Sequence, residues 1–598
     1  MNDIETKKNS KITGQRVRVL LPIWICCLLA ELIAFGAWVG PYPRAWKILV
    51  ACLIPHLMIA VVGMIPIVNQ CIAEVERRIL KWFHSLKERQ WNWKKAVLVL
   101  VVDCGLGLIL ERILTWTSEG NLTAAWNIRK WIWAVTIMFL VSLFVCYRQM
   151  MIEKIEVIVF FVILSVGSVY VTTLPVSCGI SWDDEAHFHN SLMFSHTLDG
   201  RMTAGDWDIL NGFVDTALEH DIYEEEAHQA WVEQLNADQE SGEWGPDARI
   251  WPTIQNWVYF PAAIGLMIGR ALHLPYHMIF MLGKWCNLLV YSVLVYWSIR
   301  KLKSGKMIAA VVSLLPPCIL MAASYSRDPW MIGFIMLGFS WFIGEIQDRE
   351  KKLEIWDMAI MIGAFVLGVA PKAVYVPLVL ICFFMPKEKF KSEKQCKRFR
   401  WAAAIATILL LATFAVPFIM SSGGAVEDTR GGSDVNAAAQ TAYILQAPFQ
   451  YIGMLFKFLG EYASLEAGRV YLNYLHYFGT ADYALLTEAL LLVVAFTDRS
   501  EVDGRVKWQP KVVTLIMSLG AICLAATAMY IAYTPYKADT ILGCQYRYML
   551  QFMFPVLYVI GSIPMENKMR KDWYRGIVLG ISAFILLNGV WDLCISGF

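Results

Sequence analysis

Ser181-Trp182-Asp183-Asp184-Glu185-Ala186-His187-Phe188-His189 follows an apolar run, Ile155 to Pro175, that is long enough to cross a bilayer as a helix. Three carboxylates and two imidazoles therefore stand at one end of a membrane-length segment. Charges beside hydrocarbon are costly unless they face water, a partner or a substrate. Asp183 and His187 are four residues apart, so one helical turn would set them on the same face. A carboxylate and an imidazole held together can move protons or hold a metal. The plain alternative is a solvated acidic loop. The coincidence of acid, imidazole and membrane edge favours a site.

Working outward, apolar runs of similar length recur along the 598 residues. Mean hydropathy is +0.49 and only 17% of residues are charged. A soluble chain of this length would carry more charge and divide into several domains. The expected fold class is all-α integral membrane, a polytopic helical bundle with about fifteen spans. They fall roughly at 19–39, 46–68, 96–116, 130–147, 155–175, 277–299, 307–325, 329–346, 356–371, 373–386, 401–420, 483–497, 511–533, 549–563 and 575–596. Val19 to Val39 reads as an anchor, not as a cleaved signal. The 14 cysteines are scattered and form no CxxC pair. A net charge of +2 gives no reason to expect nucleic acid as a partner.

Orientation follows from Lys and Arg in the connections. Residues 69–95 hold seven basic and three acidic side chains, and residues 387–400 hold seven and two. With the amino terminus in the cytoplasm, both fall inside, as do Arg300 to Lys303 and Lys568 to Arg575. The segment 176–255 then lies outside, with seventeen Asp and Glu against two Arg, and five of the ten histidines. Its run Glu224-Glu225-Glu226 reads as a solvated face. Within the first large outer loop, 176–276, the run from Trp251 to His273 is expected to be a surface or re-entrant helix. Tyr443 to Leu465 has the same character in a second outer segment, 421–482, which opens with Gly423-Gly424 and Gly431-Gly432. Residues 1–150 read as an added four-span module before a core of 151–598. In that module Asp103 needs a partner, while Glu111 and Arg112 read as reaching the interface.

Further polar groups gather on the same outer side: Arg327-Asp328 between two spans, Lys372 in Ala370-Pro371-Lys372-Ala373-Val374-Tyr375, and Arg547 in Gln545-Tyr546-Arg547-Tyr548. Each is explained singly by snorkelling to headgroups. Together they offer cations where a lipid phosphate would lie. No Walker loop, dinucleotide fingerprint, HExxH or GxSxG is present. Any chemistry must therefore draw on an activated substrate.

Asp-Asp-Glu-x-His-Phe, then Asn256-x-x-Tyr259-x-Pro261 and Gly265-x-x-x-Gly269-Arg270, followed by the Arg327-Asp328, Lys372 and Arg547 motifs, resemble a bacterial family of polytopic membrane proteins of unknown function. That family is related to the GT-C glycosyltransferases, such as dolichyl-phosphate-mannose protein mannosyltransferases and aminoarabinose transferases. The resemblance covers roughly residues 151–563. Tyr546 departs from it, standing where Gln-Gly-Arg would place glycine. It implies a GT-C-like core that moves a sugar from a polyprenyl-phosphate donor to a glycan or lipid acceptor of the cell envelope. The enzyme would be a multi-pass protein of the cell membrane. The resemblance further implies a base among Asp183, Asp184 and Glu185, with Asp183 preferred and His187 orienting it. Arg327, Lys372 and Arg547 would hold the donor phosphate, and Asn256, Tyr259, Asp328 and Gln545 would contact substrate. Some relatives use no cofactor and others a divalent ion, Mg or Mn, for which Asp184, Glu185 and His187 are the candidate ligands. The alternative class is a transporter, flippase or polymerase of lipid-linked saccharides.

Overall fold

A computed structural model describes residues 93–119, 125–176, 180–199, 204, 206–207, 225–240, 250–420, 434–498, 506–561 and 567–595. The expected spans at 19–39 and 46–68, the basic connection up to Gln90, Glu224 and the two Gly-Gly pairs lie outside these residues. The described residues are helical and carry no strand beyond one isolated bridge, Tyr474 with Thr480. The chain falls into two compact units, Met1–Tyr147 and Arg148–Phe598.

In the first unit, α1 (Trp93–Glu119) packs on α2 (Ile128–Cys146). Asp103 finds its partner there: Ser142 Oγ donates to it at 2.7 Å. Glu111 does not reach an interface. It is fully buried, paired with Arg112 at 2.5 Å, and accepts from Thr115 and the Asn127 amide. Pairing with Arg112 and the two hydrogen bonds offset the cost of burying the carboxylate.

The second unit contains α3 (Ile155–Thr173), α4 (Asp184–Asp199), α5 (Glu225–Glu240), α6 (Phe260–Ala271), α7 (Tyr276–Lys301), α8 (Lys306–Ser313), α9 (Pro316–Ala322), α10 (Asp328–Gln347) and α11 (Ile355–Val369). After these come α12 (Glu393–Met420), α13 (Ala437–Gln446), α14 (Pro448–Tyr462), α15 (Leu465–Tyr471), α16 (Ala484–Thr497), α17 (Trp508–Ala532), α18 (Leu550–Ile560) and α19 (Lys571–Val590). Among the described residues six helices, α2, α3, α7, α10, α17 and α19, are long and apolar enough to cross a membrane. Shorter apolar helices cover Ile355–Val369, Ala373–Phe384 and Ala484–Thr497. The protein is a multi-pass helical membrane protein, and about fifteen full spans are not reached among its described residues.

Proline accounts for part of the shortfall, because it removes an amide donor and clashes with the preceding turn. The apolar run 307–325 is cut at Pro316 and Pro317 into α8 and α9. The run 373–386 becomes three short turns around Pro377. Expected as a surface element, α6 has twelve residues, about 18 Å of helix against the ~30 Å of a bilayer core. It lies against α7 so closely that a Cβ at Gly265 would sit 2.4 Å from the Leu282 carbonyl oxygen. Only glycine lets the two backbones meet there. In turn, α7 packs on α3 and α10, and α10 packs on α11. In the later segment α14 leaves Phe449 and Phe456 exposed and docks Tyr451 on Tyr530, 5.3 Å between ring centres.

Candidate functional site

The stretch quoted first does not start a helix at Asp183. That residue has φ +53°, in the left-handed region, and α4 begins at Asp184. Aspartate tolerates this conformation better than most residues, but strain of this kind persists only where its surroundings enforce it. The enforcing contact is Arg547. Its Nη2 meets the Asp183 carboxylate at 2.5 Å, its Nη1 donates to the Trp182 carbonyl at 3.1 Å, and Nη1 also lies 3.2 Å from Asp328 Oδ2. Arg547 is held in turn by the short helical turn Tyr546–Met549 that opens α18. Three segments far apart in sequence are thus joined by one guanidinium at the N-terminal ends of α4, α10 and α18. Helix N-termini present amide donors and partial positive charge, which suits an anion.

Burial raises the proton affinity of Asp183. The charge and hydrogen bond of Arg547 outweigh that, aided by His187 and Arg327, and hold the carboxyl below its ordinary value. Its side chain is 38% exposed while that of Arg547 is 1% exposed, so the site opens toward Asp183 and closes behind the arginine. Lys372 lies behind. Its Nζ sits 3.4 Å from the centre of the Tyr548 ring, and Arg547 lies 5.4 Å over that ring. The Nζ is buried and has no hydrogen-bond partner among the described residues. Burial, Arg327 and Arg547 push this ammonium well down, against the opposing pull of Asp328 and Asp183.

The expected facing of Asp183 and His187 is not found, because Asp183 precedes the helix and turns to Arg547. His187 instead points inward: its Nδ1 is 3.3 Å from the Tyr259 hydroxyl, which accepts from Asn190 Nδ2 at 3.2 Å. Burial first, then the Arg327 and Arg547 charges, press the imidazole down to about 3, so it is neutral at pH 7. Arg327 is half-buried and its charge is felt by both His187 and Tyr259. Asp328 is 1% exposed, and its Oδ2 forms an ion pair with Arg547.

Two of the expected substrate contacts have local partners. Asn256 donates to the Trp251 carbonyl at 2.9 Å, closing its own turn. Gln545 is exposed, and its carbonyl accepts from the Tyr462 hydroxyl. Glu185 is half-buried beside the site, and the Asp184 side chain lies outside the described residues. Among the described residues no three His, Cys, Asp or Glu side chains gather to hold a metal. His187 is turned into the core toward Tyr259, so it does not form a ligand set with Glu185.

Sequence reasoning missed Trp182, Tyr548, Tyr474 and His476. The Trp182 ring lies 5.7 Å from Tyr474, 5.0 Å from His476, and 5.7 Å beneath Arg547. Trp182 and Tyr548 adjoin charged residues already singled out and could have been suspected for that reason. Tyr474 and His476 carried no such signal.

A family model described as a predicted membrane protein (DUF2142) matches residues 164–560, well over half of the chain, and the chain belongs to that family. The match spans Asp183, Arg327, Lys372 and Arg547. No curated protein and no solved structure matches the chain.

Proposed function

We propose that this member of the DUF2142 family is a membrane glycosyltransferase of GT-C type, taking a sugar from a polyprenyl-phosphate donor at the Asp183–Arg547–Lys372 site. The observation that carries the reading is the Lys372 amine, buried beside two arginines. Among the described residues its Nζ has no hydrogen-bond partner, while the neighbouring carboxylates Asp183 and Asp328 are engaged by Arg547. Buried cations at helix N-termini suit a phosphate.

In this reading the acceptor hydroxyl oxygen bonds to the sugar anomeric carbon. The bond from that carbon to the phosphate oxygen breaks, and polyprenyl phosphate leaves with the electron pair. The hydroxyl proton goes to Asp183, on its open edge, and from there to water. Arg547 and Lys372 stabilise the charge that develops on the leaving phosphate. Arg547 also makes Asp183 a weak base while the site is empty. A bound phosphate offsets the Arg547 charge and so raises the proton affinity of Asp183. Donor binding thereby prepares the base. No step here uses a metal, and orientation across the membrane enters as proposed from the basic connections, with this site outside.

The test is release of polyprenyl phosphate from a lipid-linked sugar by the purified protein. Asp183→Asn keeps the shape and removes the base, and release is expected to fall by roughly 100-fold or more. A well-folded Asp183→Asn protein working at the wild-type rate overturns the assignment.

A further inference from the structure

The site has a closed end and an open end, and they differ in chemistry. The closed end is cationic: Arg547 is 1% exposed and Lys372 Nζ is buried. At the open end, next to Asp183, Tyr474 and His476 pack on the Trp182 ring. Trp182 is 6% exposed and forms a floor, while Tyr474 and His476 are half-buried and form a rim.

The rim comes from a tightly tied loop between α15 and α16. Asn473 is its hub: its Nδ2 donates to the Asp482 carbonyl at 2.8 Å, its Oδ1 accepts from Thr487 at 2.8 Å, and its carbonyl accepts from the Ala481 amide at 2.9 Å. The Leu475 amide donates to the Gly479 carbonyl at 2.7 Å. Within this loop His476 has φ +56°, the same uncommon region that Asp183 adopts across from it. A left-handed histidine costs of order 1–3 kcal/mol, so the loop is held in this shape against its local preference.

Burial, and then Arg547, bring the His476 imidazole down to about 4. At neutral pH it is therefore uncharged and does not attract a phosphate. The rings supply flat apolar faces of the kind that pack the C–H faces of a pyranose, and the exposed edge of Asp183 accepts a hydroxyl.

We infer that Tyr474 and His476, above Trp182, form a binding subsite for a saccharide acceptor. The inference rests on the reading above, in which the lipid phosphate takes the closed cationic end. It assigns the later segment, 434–482, a part in the site: it carries the acceptor wall, while the core holds the donor.

Two ligands measured separately on the full chain in detergent distinguish the parts. The first is farnesyl phosphate, a short polyprenyl phosphate, for the closed end. The second is a set of methyl hexopyranosides (glucose, galactose, mannose and N-acetylglucosamine), followed by saturation-transfer NMR, for the open end. At least one glycoside is expected to receive saturation from the wild type. Tyr474→Ala and His476→Ala should each weaken that glycoside about 2- to 10-fold, the size of one lost ring contact, and leave farnesyl phosphate unchanged. Tyr474→Phe should retain glycoside binding. Should Tyr474→Ala fail to fold, Tyr474→Leu removes the ring face and keeps apolar bulk, with the same loss expected. Absence of any glycoside signal from the wild type overturns the subsite. So does a Tyr474 variant that weakens farnesyl phosphate as much as it weakens the glycoside. If the wild type binds glycoside and no farnesyl phosphate, the donor reading falls and the saccharide subsite stands.

Discussion

The two ends of α10 each carry a largely buried charge cluster, and among the described residues the pairs named here have the same charge count. At its start, Arg327, Lys372 and Arg547 meet Asp183 and Asp328. At its finish, Lys301, Lys351 and Lys389 meet Glu345 and Asp357. Asp328 and Glu345 are separated by about 26 Å of helix. Three cations face two anions at both ends, yet the surplus is handled differently. At the finish the third cation, Lys389, reaches the Asp348 carbonyl at 2.5 Å and the Lys351 carbonyl as well. At the start the third cation, Lys372, has the Tyr548 ring against it and no hydrogen-bond partner among the described residues. Backbone carbonyls complete one cluster and not the other. On the proposed reading the first is a lock and the second a receptor.

Breaking the lock should have the largest effect. Glu345 is 1% exposed and faces three lysines. Glu345→Ala leaves those cations without their central anion, and removing one member of a buried network costs about 3–5 kcal/mol. The expected outcome is a protein that loses its monodisperse peak after mild heating in fluorescence-detected size exclusion. Thermal resistance equal to wild type would mean that the cluster does not lock α7, α10 and α11 together.

The same operation on the receptor should behave in the opposite way. Lys372→Met removes a buried ammonium that burial and two arginines already disfavour, so stability should hold or rise. Farnesyl phosphate binding should weaken by about 1.5–3 kcal/mol, the worth of one charged contact, or roughly 10- to 150-fold. If Lys372→Met unfolds the protein as Glu345→Ala does, the two ends are alike and the receptor reading fails.

The contrast also explains what could be read in advance. Helix positions were legible, because apolar runs of bilayer length mark them directly: 155–175 became Ile155–Thr173 and 329–346 became Asp328–Gln347. Their lengths were less so, since Pro316-Pro317 and Pro377 divide runs that hydropathy alone joins. Asp183, Arg327, Lys372 and Arg547 were found as isolated charges at span ends, and folding brings them together. Their partners were not legible. Nothing local says that Asp183 adopts φ +53° and turns from His187 to an arginine 364 residues away. Tyr546 shows the same limit. Its place in the motif suggested glycine, yet its ring stacks on Tyr471 at 3.4 Å and Tyr462 at 4.3 Å, both from the later segment. A backbone oddity in the sequence is a long-range packing contact in the fold.

The smallest expected effect is the dependence of binding on pH, and it follows from the buried Lys372 amine. In the empty site the Lys372 amine is pushed well below its ordinary value by burial and by Arg327 and Arg547. A phosphate brought beside it favours the ammonium and raises that value. Binding therefore takes up a proton at any pH between the two values. In that window affinity is greatest at the low end and falls as pH rises. Farnesyl phosphate is already a dianion above about pH 7, since its second ionisation lies near 6, so its own charge does not change between pH 7 and 9. Where the window overlaps that range, its affinity for the wild type should drop as pH rises, by at most about 10-fold per pH unit, the limit of one whole proton. Lys372→Arg keeps a charge that does not titrate there, and its affinity should be flat. A wild-type affinity independent of pH from 7 to 9 would mean that Lys372 takes up no proton when the phosphate binds. The contrast with the Glu345 end would then lose its basis.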